Sequence, residues 1–117
     1  MDKEELKQRT KQFALRVIRL VEALPRGPTA DILGRQLLRS GTSVGANYRA
    51  ACRAKSSADF ISKMGTVEEE SDESLYWMEL LVEAEIVKVE RLESLMKEGS
   101  EILAITVASI NTAKKHN

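Results

Sequence analysis

Apolar residues recur along this chain in steps of three and four, and four such runs cover nearly all of it. The first, over residues 3–24, puts Leu6, Phe13, Val17, Leu20, Val21 and Leu24 at helical spacing. Pro25-Arg-Gly-Pro28 ends it, since neither proline continues a helix and Gly27 can turn the chain. Thr29 is the predicted N-cap of a second helix, with Asp31 in the first turn, where the helix dipole favours a carboxylate.

That second helix is predicted to run to about Ala54. Its stripe reads Leu38, Gly41, Gly45, Tyr48 and Cys52, with Leu37, Val44 and Ala51 beside it. The stretch from Arg39 to Arg53 is rich in Gly, Ser, Thr and Ala, a composition common in loops. The stripe nevertheless stays in phase and no proline interrupts it, so the expectation is helix. Ser56-Ser-Ala-Asp59 resembles a capping box with aspartate in place of glutamate, and opens the third helix. Phe60, Met64, Val67, Ser71, Ser74, Met78 and Leu81 then form a heptad-like seam. The fourth run carries Leu92, Leu95, Gly99, Ile102, Thr106 and Ser109. No strand pattern or repeat competes. Four amphipathic helices with short connections predict an all-α, up-down-up-down antiparallel four-helix bundle.

Glycine inside a helix costs roughly 1 kcal/mol relative to alanine. Gly34, Gly41, Gly45, Gly65 and Gly99 all fall inside the predicted helices, leaving Gly27 for a turn. Close approach of another backbone would justify them, which points to packing and assembly.

At 117 residues the chain is a single domain, 1–117, long enough to bury about two-thirds of its unfolded surface. The longest nearly apolar run, Ile102 to Ile110, is about half of the ~20 residues a membrane span needs. The start, Met-Asp-Lys-Glu-Glu, does not read as a signal peptide, and a lone Cys52 allows no internal disulfide. The expected compartment is the cytoplasm.

The formal net charge of zero hides a division. Residues 1–57 hold twelve Lys and Arg against five Asp and Glu, a net of +7; residues 58–117 hold six against thirteen, a net of −7. Such a split concerns surfaces and partners. Arg35, Arg39, Arg49, Arg53 and Lys55, on or just after the second helix, are the candidate nucleic-acid-binding residues, backed by Lys7, Arg9, Lys11, Arg16 and Arg19 on the first. The competing reading pairs these cations with the acidic third helix, within the bundle or between copies. Glu70 and Glu73 lie beside the Ser71/Ser74 seam, and a partly buried carboxylate needs a partner. Arg49 and Arg53 are the expected partners.

Enzymatic chemistry finds no constellation. A bundle di-metal site takes Glu-x-x-His from two helices, whereas the single histidine here is His116, so no metal site is expected. Cys52 has no histidine to activate it, and nucleotide-binding motifs are lacking. A non-enzyme without cofactor or small-molecule substrate is the expectation.

Leu38-Arg-Ser-Gly-Thr-Ser-Val-Gly-Ala-Asn-Tyr-Arg-Ala-Ala, then Ala58-Asp-Phe-Ile-Ser-Lys-Met, then Glu70-Ser-Asp-Glu-Ser-Leu-Tyr-Trp-Met-Glu-Leu-Leu, closely resembles the 23S rRNA-intervening-sequence proteins, also termed the S23 ribosomal protein family. The resemblance covers nearly the whole chain. It implies a bacterial four-helix bundle that assembles as a ring-shaped homopentamer and has no catalytic residue. A related group is the accessory variability protein of diversity-generating retroelements, a strongly basic bundle that binds a reverse transcriptase and nucleic acid. The implied partners are therefore further copies of the chain, RNA, or a reverse transcriptase. Carried onto this chain, the motif falls on Arg39, Ser40, Ser43, Val44, Gly45, Asn47, Tyr48 and Arg49, then Phe60, Lys63, Glu70, Glu73, Tyr76 and Trp77. Helix packing and assembly are expected of Gly41, Ser43, Gly45, Asn47, Tyr48, Glu70, Glu73, Tyr76 and Trp77. Glu69 departs from the motif, standing where many relatives carry a basic residue.

Overall fold

The computed structural model describes residues 1–116. Four helices occupy almost all of them: α1 (Lys3–Glu22), α2 (Pro28–Ala51), α3 (Ser57–Glu83) and α4 (Val89–Lys115). The described residues contain no strand. The stretch from Arg39 to Ala51 is helical, as the stripe predicts.

The ends follow local chemistry. Asp2 caps α1 by accepting the Glu5 N–H at 2.8 Å. Ser56 caps α3, its Oγ accepting from the Asp59 N–H at 3.1 Å. The Asp59 carboxylate reaches back to the Lys55 N–H at 3.0 Å, so the predicted box closes one residue earlier than a Ser–Glu pair would. The N-cap of α2 is Gly27, not Thr29. Gly27 takes a φ of 147°, and Pro28 fills the first helical position, where its missing N–H costs nothing. The same helix stops at Ala51, three residues short of the predicted end.

The turn from α3 to α4 carries a feature the sequence pattern does not announce. Glu85 sits in the left-handed region, with φ of 60°. Its N–H donates to the Val82 carbonyl at 2.9 Å, and the Ile86 N–H donates to the Leu81 carbonyl at 3.0 Å. This pair of bonds is a Schellman motif, with glutamate where glycine is usual.

The helices form a ring in which α1 packs on α2, α2 on α3 and α3 on α4, while the α1–α4 seam is the slightest and the backbones of diagonal pairs stay apart. Each neighbouring pair is antiparallel: Gly34 and Gly45 of α2 face Leu24 and Thr10 of α1, and Ser40 of α2 meets Ser74 of α3. The bundle measures 47 × 21 × 21 Å. No described helix is long and apolar enough to cross a membrane.

The predicted seams become the core. Met64, Val67, Met78 and Leu81 of α3 and Leu92 and Ile102 of α4 are fully buried with Phe13, Val17, Leu37 and Val44. Thr10, Ser71 and Thr106 are buried too, each hydroxyl donating to a carbonyl one turn back at 2.8–2.9 Å. No buried side-chain polar atom among the described residues lacks a partner. Cys52, the C-cap residue of α2, is half-buried against the core.

The helical glycines have local reasons, with one exception. A Cβ on Gly41 would lie 2.8–2.9 Å from the Val17 methyls, and one on Gly45 would lie 3.2 Å from Thr10 Oγ1. Gly34 meets Leu24 at 3.0 Å, and Gly99 meets Leu75 at 3.1 Å. The close partner of Gly41 and Gly45 is thus α1 of the same chain, so assembly is not needed to explain them. Gly65 is the exception, with nothing within 4 Å of a Cβ there.

Candidate nucleic-acid interface

The cations of α1 and α2 divide into those spent inside the bundle and those left over. Arg9 reaches across the α1–α4 seam, with Nε to Glu98 Oε2 at 2.7 Å and Nη2 to Glu101 Oε1 at 2.5 Å. Arg39 bridges α2 to α3, with Nη1 to Glu70 Oε2 at 3.0 Å and Nη2 to Glu73 Oε1 at 2.5 Å. Glu73 also accepts from Trp77 Nε1 at 3.3 Å. Hydrogen bonding to Glu73 raises the Arg39 pKa, and Glu98, through its bonds from Arg9, sits below the ordinary glutamate range. Both arginines act as braces.

The arginine that serves Glu70 and Glu73 is therefore Arg39, not Arg49 or Arg53. Register explains the difference. Ser40 opposite Ser74 places Arg49 level with residue 65, about 14 Å along the axis from Ser40. Ten residues at 100° per residue also turn Arg49 about 80° away from Arg39, toward α1.

On that side lies a shallow groove of about 490 Å³ between α1 and α2. Its floor is Ala14, Thr42, Gly45 and Ala46, and its rim carries Lys7, Gln8, Lys11 and Arg49. Glu4 stands at one end, 3.3 Å from Lys7 Nζ. Lys11 and Arg49 are exposed and their side chains have no carboxylate within 4.0 Å among the described residues; the same holds for the side chains of Arg53 and Lys55, although the Lys55 N–H is held by Asp59.

The five predicted nucleic-acid residues do not converge. Arg49 is on the groove, and Arg53 and Lys55 follow it toward the α2–α3 connection. Arg39 is turned to α3. Arg35 is near the opposite end, its Nε 3.4 Å from the Asp31 carbonyl, beside a cavity lined by Val21 and Leu24. Lys7 and Lys11, which had stood as supporting charges only, come to the centre. Their i,i+4 spacing was visible; that they face Arg49 depends on how α1 packs against α2.

The model of the 23S rRNA-intervening sequence protein family matches residues 2–108. The chain belongs to that family. A crystal structure of a protein of unknown function from the S23 ribosomal protein family of Bacteroides thetaiotaomicron VPI-5482 superposes with a TM-score of 0.88. The two sequences are 36% identical, over 95% of this chain and 99% of that one. No curated protein matches the chain.

The family's motif residues take up several roles in this chain. Tyr48 is buried in the core, which pushes its phenol up. Trp77 is half-buried against the core, whereas Tyr76 is 52% exposed, its ring edge-on to Trp77 with centroids 5.1 Å apart. Ser43 Oγ donates to the Arg39 carbonyl at 2.6 Å, and Asn47 Nδ2 donates to the Ser43 carbonyl at 2.8 Å. Both side chains serve their own helix. Ser74 Oγ lies 3.0 Å from Ser40 Oγ and 2.8 Å from the Glu70 carbonyl, a buried polar contact beneath the Arg39 brace.

The acidic run splits likewise. Glu70 and Glu73 face Arg39, while Glu68, Glu69 and Asp72 flank a shallow groove whose other side is Leu103 and Val107 of α4. No group of three residues able to hold a metal ion occurs among the described residues.

Proposed function

We propose that this protein is a non-enzymatic four-helix scaffold that assembles with further copies of itself, as a ring-shaped homopentamer, in the bacterial cytoplasm. On its α1–α2 side it holds RNA or an RNA-handling partner. The observation that carries the reading is the division of charge: Arg9 and Arg39 are consumed by cross-helix braces, while the side chains of Lys11, Arg49, Arg53 and Lys55 form no ion pair among the described residues. Clustered free cations suit a polyanion.

Self-assembly is supported by the complementary face. Exposed Glu69, Asp72, Glu79 and Glu83 on α3 surround Tyr76, opposite in sign to the α1–α2 side. Heterologous contacts between unlike faces close into rings when the rotation allows. A non-enzymatic role is supported by chemistry: half-buried Cys52 has no histidine near it in sequence, and the single histidine is at position 116.

Native mass spectrometry at low salt, with and without an RNA oligonucleotide, tests the reading. An oligomer that gains RNA is the expected result. A monomer that gains none contradicts it, and an oligomer that never takes RNA leaves a protein-interaction adaptor, for instance for a reverse transcriptase, as the replacement.

A further inference from the structure

We infer that the α1–α2 groove seats the phosphodiester backbone of single-stranded nucleic acid, held by Lys7, Lys11 and Arg49. This rests on the RNA-scaffold reading and gives it a location. Lys7 and Lys11 are one helical turn apart on α1, about 6 Å along the axis. Arg49 faces them from α2 across the same groove. Three like charges gathered on one concavity repel one another. Among the described residues only Glu4 answers them, at the end of the groove and on Lys7 alone. A chain of phosphates relieves that repulsion along its length.

The lining selects among polyanions. Ala14, Gly45 and Ala46 keep the floor low, so an extended strand can lie close to both helices. Helices in contact are about 8–10 Å apart, and a groove between them admits one strand rather than a duplex. No aromatic residue lines the groove, so bases find no stacking platform and the contact is with the backbone. Thr42 adds no donor, because its hydroxyl proton is given to the Leu38 carbonyl at 2.7 Å. The Gln8 amide is the neutral donor on the rim.

The same lining argues against an acidic helix of another protein. Stable protein interfaces are anchored by large apolar or aromatic side chains in a desolvated centre. The only apolar residues here besides glycine are Ala14 and Ala46.

The test is a fluorescence-anisotropy titration of labelled oligo(U) with the wild-type protein, Lys11→Gln/Arg49→Gln, Ala46→Glu on the groove floor, and Lys97→Gln on α4 as control. Oligo(dT) is the competitor. Two lost phosphate contacts should weaken binding on the order of 50-fold at about 50 mM salt and flatten the log–log salt slope by about 1.4. Ala46→Glu should weaken it as well, Lys97→Gln should not, and oligo(dT) should compete as well as oligo(U). Wild-type-like binding by both groove variants overturns the location and leaves the RNA reading standing. Absence of wild-type binding at low salt overturns the reading itself. A weaker groove variant that has also lost subunits in sedimentation shows that the groove is a contact between copies, and overturns the inference. A strong preference for oligo(U) over oligo(dT) overturns backbone-only contact.

Discussion

Gly41 of α2 lies flush against Val17 of α1: a methyl group at Gly41 would fall 2.8 Å from Val17 Cγ1. Val17 is fully buried and β-branched, so it has no free rotamer to retreat into. Overpacking of this kind costs about 1–3 kcal/mol, against about 1 kcal/mol gained in helix propensity. Gly41→Ala should therefore lower stability in urea by about 1 kcal/mol. In a Val17→Ala background the same change should cost less or become favourable, and a double-mutant cycle reads that coupling directly.

Gly65 gives the opposite expectation. With nothing within 4 Å of its missing Cβ, it contributes only backbone freedom to the unfolded chain. Gly65→Ala should stabilise the protein by about 0.5–1 kcal/mol in the same denaturation assay. A loss of stability would show that the position serves a contact outside the chain.

Glu85 offers a third substitution. Its left-handed backbone at the C-terminus of α3 suits glycine, and the Schellman bonds do not need the side chain. Glu85→Gly should raise stability by about 1 kcal/mol, visible as a higher melting temperature.

Much of this architecture is legible in the sequence, and the limits are instructive. The heptad-like run from Met64 to Leu81 is the buried face of α3, because helical periodicity needs no knowledge of a partner. The stripe through Gly41, Gly45 and Tyr48 correctly marks a close helix crossing. What periodicity leaves open is the register between helices. Arg39, Arg49 and Arg53 fall within about 80° of one another on a helical wheel, and the axial register set by the meeting of Ser40 with Ser74 decides which of them reaches Glu70 and Glu73. Thr29 and Gly27 likewise compete locally for the N-cap, and the Pro28 ring decides between them. Gly65 shows that helical glycine need not mean contact.

Acid should open the molecule at its slightest seam. Arg9 holds the Glu98 carboxyl below its ordinary range, and Lys63 does the same for Asp59. A folded-state pKa below the unfolded one means that the stabilisation is present above the unfolded value and is lost as pH falls through the folded one. Stability measured by urea titration should thus decline as pH drops from about 5 toward 3. Glu98→Gln should be less stable at neutral pH and show a shallower decline.

The claim at the centre of this account is that the cations of the α1–α2 side are free for a polyanion, while Arg9 and Arg39 brace the bundle. The salt dependence of wild-type RNA affinity tests it most directly. Three groove cations at about 0.7 each predict a log–log slope near −2, steeper if Arg53 and Lys55 also contribute. No binding at low salt, or an affinity that does not change with salt, would contradict it.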